Sequence, residues 1–330
     1  MLLPLHLAAQ EPARSLDLTV DNTGISIGDS RRVNGLRLNF RDTRLEEVNG
    51  INITVWSPTK SSSGVVRGAA IGLPLTGADE ITGLGAGIFG VSADQRFRGI
   101  GVGGVGVGAG SSLEGLMIGG IGVGAGGDVR GITIGGVGVG SGGDITGLSI
   151  GGIGVGGGGR VRGISFGGIG VGGGGDIMGF SVAGIGVGGG GSVTGVSIAG
   201  IGVGGGGDVT GLSIGGIGVG GGGRIKGIQI AGIGVGAPRI EGLTIAVGAA
   251  GGENIRGVTI AGGYLRIERG TIEGVNISAF NQIKGTQRGV AIGIVNHARV
   301  LDGVQIGLLN HARNNPPGLR WLPIFNANMR

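Results

Sequence analysis

The sequence predicts an all-β fold: a glycine-rich β-solenoid of about 19 coils with a period of 14–18 residues. Three observations carry this. Glycine supplies 90 of 330 residues, against roughly 7% in ordinary chains. At about 1 kcal/mol per helical glycine relative to alanine, that excludes a helical bundle. A 16-residue motif recurs without a break from Gly115 to Gly227. Within each copy, the residues one and three after an anchor glycine are apolar, and in nearly every copy the one between is small or polar, which is the alternation of a strand. Collagen is excluded because glycine does not fall at every third position. With 40% hydrophobic residues and a net charge of only +5, the composition is not that of a disordered chain.

Residues 1–20 read as a leader or the remnant of a signal peptide, 21–315 as the β-repeat domain and 316–330 as a C-terminal cap. The leader reading rests on the apolar run through Leu2, Leu3, Leu5 and Leu7, closed by Ala8-Ala9 before polar Gln10. It implies export, with the mature chain beginning near Gln10. Anchor glycines then follow at Gly35, Gly50, Gly68, Gly83 and Gly99, continue through the regular 16-residue copies, and end at Gly242, Gly257, Gly274, Gly289, Gly303 and Gly318. In the cap, Trp321 and Phe325 are placed to cover the open end of the stack.

One central copy shows how a coil is expected to close. Ile132 and Ile134 share one parity, and Val137 and Val139 the other. A bend at Gly135-Gly136 would let both pairs face one interior, with a second corner at residues 140–144. On that reading Thr133, Ser149, Ser165, Ser181, Ser197 and Ser213 form an outward hydroxyl column. Gly136, Gly138 and Gly140 form an outward, nearly bare strip suited to close packing against another molecule, so self-association is expected there. The alternative fold is a transmembrane β-barrel, a pore or anchor with one strand per unit. The parity switch, the uniformly short turns and the non-aromatic ending Asn326 to Arg330 argue against it.

Near the C-terminus the repeats read Gly289-Val290-Ala291-Ile292-Gly293-Ile294-Val295-Asn296 and Gly303-Val304-Gln305-Ile306-Gly307-Leu308-Leu309-Asn310. These resemble a bacterial surface-repeat family described from spirochaetes, with copies of the form G-[LV]-Q-[IL]-G-x-x-N. Asn34-Gly35-Leu36 and Asn49-Gly50-Ile51 look similar. The central copies depart from the pattern by replacing the Asn region with glycine. The resemblance implies an exported, surface-associated protein and brings no catalytic residues with it.

Motifs of catalysis and cofactor binding dissolve into the repeat. Gly147-Leu148-Ser149-Ile150-Gly151 matches G-x-S-x-G, but it recurs as a coil position with no helix after it. Gly122-Val123-Gly124-Ala125-Gly126-Gly127 matches G-x-G-x-x-G and also lacks the following helix. No catalytic residue, cofactor site or metal site is assigned. His297 and His311 occupy equivalent positions in adjacent copies, but two ligands without a carboxylate make a poor metal site. Asn296, Asn310 and Asn326 are expected to stack as a structural amide column. Asp128, Asp144, Arg160, Asp176, Ser192, Asp208 and Arg224 form a solvated corner column of mixed sign.

The isoelectric point near 10.6 is not a nucleic-acid signature. Lysine occurs only at Lys60, Lys226 and Lys284, and the arginines are scattered. Cysteine is absent. The expected function is therefore non-enzymatic: an exported bacterial surface or envelope scaffold, associating with itself and with the envelope or membrane.

Overall fold

In the computed structural model, residues 15–56 and 64–329 are described. Residues 1–14 of the expected leader lie outside them, and 15–20 form the strand Ser15–Val20. The chain is an all-β, glycine-rich β-solenoid of about 17 turns, not a barrel. It divides into two compact units, Met1–Gly126 and Gly127–Arg330.

The regular coil of the second unit contains a long strand such as Ile145–Gly151 and a short one such as Gly154–Gly157. Each pairs in parallel with its counterpart one period on: Ile145 with Val161, Ser149 with Ser165, Val155 with Val171. Parallel neighbours joined coil by coil are incompatible with the antiparallel strands of a membrane barrel. At the two chain ends the pattern changes to antiparallel. Ser15–Val20 pairs with Thr23–Gly28 in the first unit, and Trp321–Asn328 pairs with Val295–Ala312 in the second.

The anchor glycines are dictated by backbone geometry. In the second unit their φ runs from +97° at Gly289 to +152° at Gly303, and at Gly163 it is +114°. Side-chain-bearing residues are strained there. A Cβ on Gly163 would also overlap the carbonyl oxygen of Gly147 in the preceding coil. The glycine column is thus required twice over. Gly318, expected as the last anchor, instead lies in the 3-10 turn Pro317–Leu319. Gly24 takes the anchor geometry, with φ +144° and Gly35 as its register partner.

The interior corrects the expected parity. The inward residues of a central coil lie two before, two after, four after and eight after the anchor: Ile145, Ser149, Gly151 and Val155. Ser149 is 1% exposed, so the hydroxyl column faces in, not out. Ile132 is 44% exposed and Ile150 is half-buried, so the apolar pair flanking each hydroxyl faces out. Val139 is buried as expected, but Val137 is 44% exposed at the corner.

The cause is the tightness of the corner at Gly152-Ile153. A Cβ on Gly151 would overlap the carbonyl oxygen of Gly154 across the turn. In the regular coils the inward position beside that corner, four after the anchor, is held by glycine or alanine. Ile145 and Val155 fill the remaining width. Across the second unit, the position two before the anchor is the continuous spine of the core, with Val129, Ile145, Val161, Ile177 and Val193 each at most 1% exposed.

Candidate functional site

Three features stand apart from the repeating interior: the two outer faces of the regular coils, and a polar cluster in the first unit.

The outer face of the short strands is the glycine strip. Gly136 and Gly140 are exposed and Gly138 is half-buried, as the spacing predicts. The constraint differs along the strip: a Cβ at Gly152, the counterpart of Gly136 one period on, would overlap the Gly136 carbonyl oxygen, and one at Gly138 would lie 3.2 Å from the Gly154 carbonyl oxygen, whereas the Gly140 position is open. A Cβ on Gly140 or Gly156 would meet nothing within 4 Å, and none of Gly136, Gly138 or Gly140 has positive φ. At the Gly140 position alanine or serine would fit, and either would lower the entropy of the unfolded chain. Folding of this chain therefore does not explain a glycine at Gly140 or Gly156.

The outer face of the long strands is aliphatic. Ile132, Leu148 and Ile164 form one row and Ile134, Ile150 and Phe166 the next. At the adjoining corner, Ile153, Ile169 and Ile185 are 48–51% exposed. Single exposed aliphatics are ordinary, but a contiguous apolar field is not. Two sequence signals marked this face. The position two before the anchor was already aliphatic and able to fill the core, and the tight Gly-Gly corner left no room for a second pair.

The corner column is more than a solvated edge. Asp144 Oδ1 accepts a hydrogen bond from the Arg160 backbone N–H at 2.8 Å, and Asp176 Oδ1 accepts one from Ser192 at 2.8 Å. Asp208 Oδ1 does the same for Arg224 at 2.7 Å. Each side chain thus satisfies a backbone donor of the next coil. The Arg160 backbone N–H, together with the guanidinium of Arg160, holds the Asp144 carboxyl below its ordinary pKa.

Arg37 occupies the inward position that serine holds in the regular coils, and it is fully buried. Its guanidinium donates to Asp42, to Asn52 Oδ1 at 2.9 Å, to Asp29 Oδ1 at 3.1 Å and to the Ser30 carbonyl at 3.0 Å. Asn52 donates in turn to Asp42 Oδ2 at 3.1 Å. Burial acts to raise the Asp29 carboxyl, but hydrogen bonds from Thr43 and the charge of Arg37 outweigh it and hold the pKa low. Sequence reasoning missed this cluster. Its signal was an arginine at a repeat position otherwise small or uncharged.

Toward the C-terminus, Asn281 donates to Asn296 Oδ1 and Asn296 to Asn310 Oδ1, both at 2.7 Å. The expected amide column exists with Asn281 as its first member. Asn326 is not part of it and accepts from Asn315 at 2.8 Å.

His297 and His311 stack with ring centroids 4.7 Å apart and Nδ1 atoms at 2.7 Å, and Trp321 stacks on His311 at 4.1 Å. No group of three or more His, Cys, Asp or Glu able to hold a metal occurs among the described residues. Burial and the charge of Arg313 lower the His297 pKa, and burial, His297, Arg320 and Arg313 lower that of His311. Below about pH 6.5 the unfolded chain therefore binds more protons than the folded one. The stability this pair contributes is complete above that pH and is lost as pH falls through the lowered folded values. Lowering pH from 8 to 5 is expected to reduce the melting temperature and red-shift Trp321 emission. The His297→Phe/His311→Phe variant is expected to lose most of this dependence.

The G-x-S-x-G serines are not nucleophiles. The buried Ser149 Oγ lies 2.9 Å from Thr133 Oγ1 in the coil interior, out of reach of solvent-borne substrate. The chain matches no family model, no curated protein and no solved structure. The fold is a scaffold, and its distinguishing surfaces are the two outer faces of the coils.

Proposed function

We propose that the protein is an exported bacterial surface or envelope scaffold that associates with itself through the glycine strip. The observation that carries this reading is the strip itself. At Gly140 and Gly156 a side chain would meet open space, so the absence of one serves something outside the chain. A bare sheet face lets a second sheet approach closely. The resemblance of the Gly289 and Gly303 copies to spirochaete surface repeats, and the Leu-rich start closed by Ala8-Ala9, support the cell surface as the place of action.

The test is a Gly140→Gln/Gly156→Gln/Gly172→Gln variant. It is expected to fold with a stability change of no more than about 0.5 kcal/mol per site, and to sediment as a smaller species than the parent chain. Unchanged sedimentation would remove the strip from the account. Export is tested separately, by cell fractionation and N-terminal sequencing: the mature chain is expected outside the cytosol, beginning near Gln10.

A further inference from the structure

We infer that the aliphatic outer face of the long strands in the second unit is a second interface, and that its occupant is the same face of another copy of this chain. This goes beyond the glycine-strip reading, with which it shares only the kind of partner.

The face carries no charge where it would be covered. The positions one and three after each anchor, from Ile132 to Ile245, are all Ile, Leu, Val or Phe. Polar residues are confined to its margin, where Arg130, Thr146 and Arg162 precede the anchor glycines. An apolar centre with a polar rim is the anatomy of a protein interface.

Its size is sufficient. Eight long strands, from Val129–Gly135 to Arg239–Ala246, carry it. Eight strands at ~4.8 Å span about 38 Å, and six residues at ~3.3 Å span about 20 Å. That gives on the order of 750 Å² per copy, close to the ~800 Å² per partner of stable protein pairs.

The periodicity selects the partner. The rows repeat with every coil, because Leu148 is in register with Ile164 and Ile150 with Phe166. A second copy has the same spacing and twist, so its rows can interdigitate along the whole length, as two sheets do in a sandwich. Charge argues against an anionic lipid surface. Residues 127–246 hold six bases (Arg130, Arg160, Arg162, Arg224, Lys226, Arg239) and five acids (Asp128, Asp144, Asp176, Asp208, Glu241), a net charge of +1. That is far from the basic cluster such a surface attracts.

The experiment uses the full chain. An Ile132→Lys/Ile164→Lys/Ile228→Lys variant changes outward side chains only, and circular dichroism and a thermal melt verify that it folds. An Ile→Val variant at the same three sites controls for packing. By sedimentation velocity the parent and valine chains are expected to associate, with the lysine chain at least tenfold weaker. Because the parent chain has no cysteine, single-cysteine variants Ile134→Cys, Ile150→Cys, Phe166→Cys, Val182→Cys and Ile198→Cys, mixed pairwise and oxidised, are expected to give a disulfide dimer in at least one pairing.

Three results would overturn the inference. One is a lysine variant that folds and associates like the parent. Another is association abolished by the glutamines at Gly140, Gly156 and Gly172 but not by the lysines, which would leave the glycine strip as the interface. The third is a parent chain that stays monomeric yet floats with phosphatidylcholine–phosphatidylglycerol vesicles.

Discussion

Aspartate in place of Ser165 is expected to unfold the central coils, whereas aspartate in place of its neighbour Ile164 is expected to be nearly silent. Ser165 is 1% exposed and Ile164 44% exposed. A carboxylate at 165 would sit between the two sheets of a coil, beside Ser149 and Ser181 in register, with no cation among its inward neighbours. Burying an unpaired charge is among the few single changes that cost on the order of 4 kcal/mol or more. The same change at an outward position falls within about 1 kcal/mol. Val155→Asp is expected to behave like Ser165→Asp, and Ile150→Asp like Ile164→Asp. Urea midpoints at neutral pH give the readout.

The second large effect is expected at Arg37. Removing the guanidinium by Arg37→Met leaves Asp42 and Asp29 buried in the first unit without their shared cation, with the Arg44 guanidinium still 3.5 Å from Asp29. Breaking a buried ion pair by deleting one partner costs about 3–5 kcal/mol. Arg37→Lys is expected to recover little. Arg37 serves Asp29, Asp42, Asn52 and the Ser30 carbonyl at once, and an ammonium cannot reproduce that planar fork. Thermal melts of the full chain, with Arg256→Met as an exposed control, give the comparison.

Much of the architecture was legible because its strongest constraint is covalent. A backbone held near φ +115° admits only glycine, so the anchor column stands out at once, and the coil period and corners follow from it. The facing of the long strand was not legible from alternation alone. Ile132 and Ile134 are apolar and Thr133 is not, which places the isoleucines inside by the ordinary rule. What reverses the rule is Gly135: the tight corner holds a small residue inward there, and Thr133, two positions back on the same face, goes in with it while Val129 and Val139 fill the core.

The Arg37 cluster was hidden for a related reason. Asp29, Asp42 and Asn52 are brought to Arg37 by adjacent coils and their connections, not by any short motif. The glycine strip, by contrast, could be read directly, since outward positions on a short strand need only the period and the corner. The consequence of the reversal is that the coils carry an aliphatic outer face as well as the glycine strip, where the sequence reading found the strip alone.

The most direct test of the reversed coil is thiol accessibility along one coil of this cysteine-free chain. Single variants Ser149→Cys, Ile150→Cys and Val155→Cys would be reacted with a maleimide under native conditions, at protein concentrations dilute enough to keep the chain monomeric. Cysteine is nearly isosteric with serine, so the interior is little disturbed. The account predicts that Cys at positions 149 and 155 is protected until the chain is unfolded, while Cys at 150 reacts at least a hundredfold faster. Rapid labelling at 149 with protection at 150 would contradict it and restore an interior lined by the isoleucine pairs.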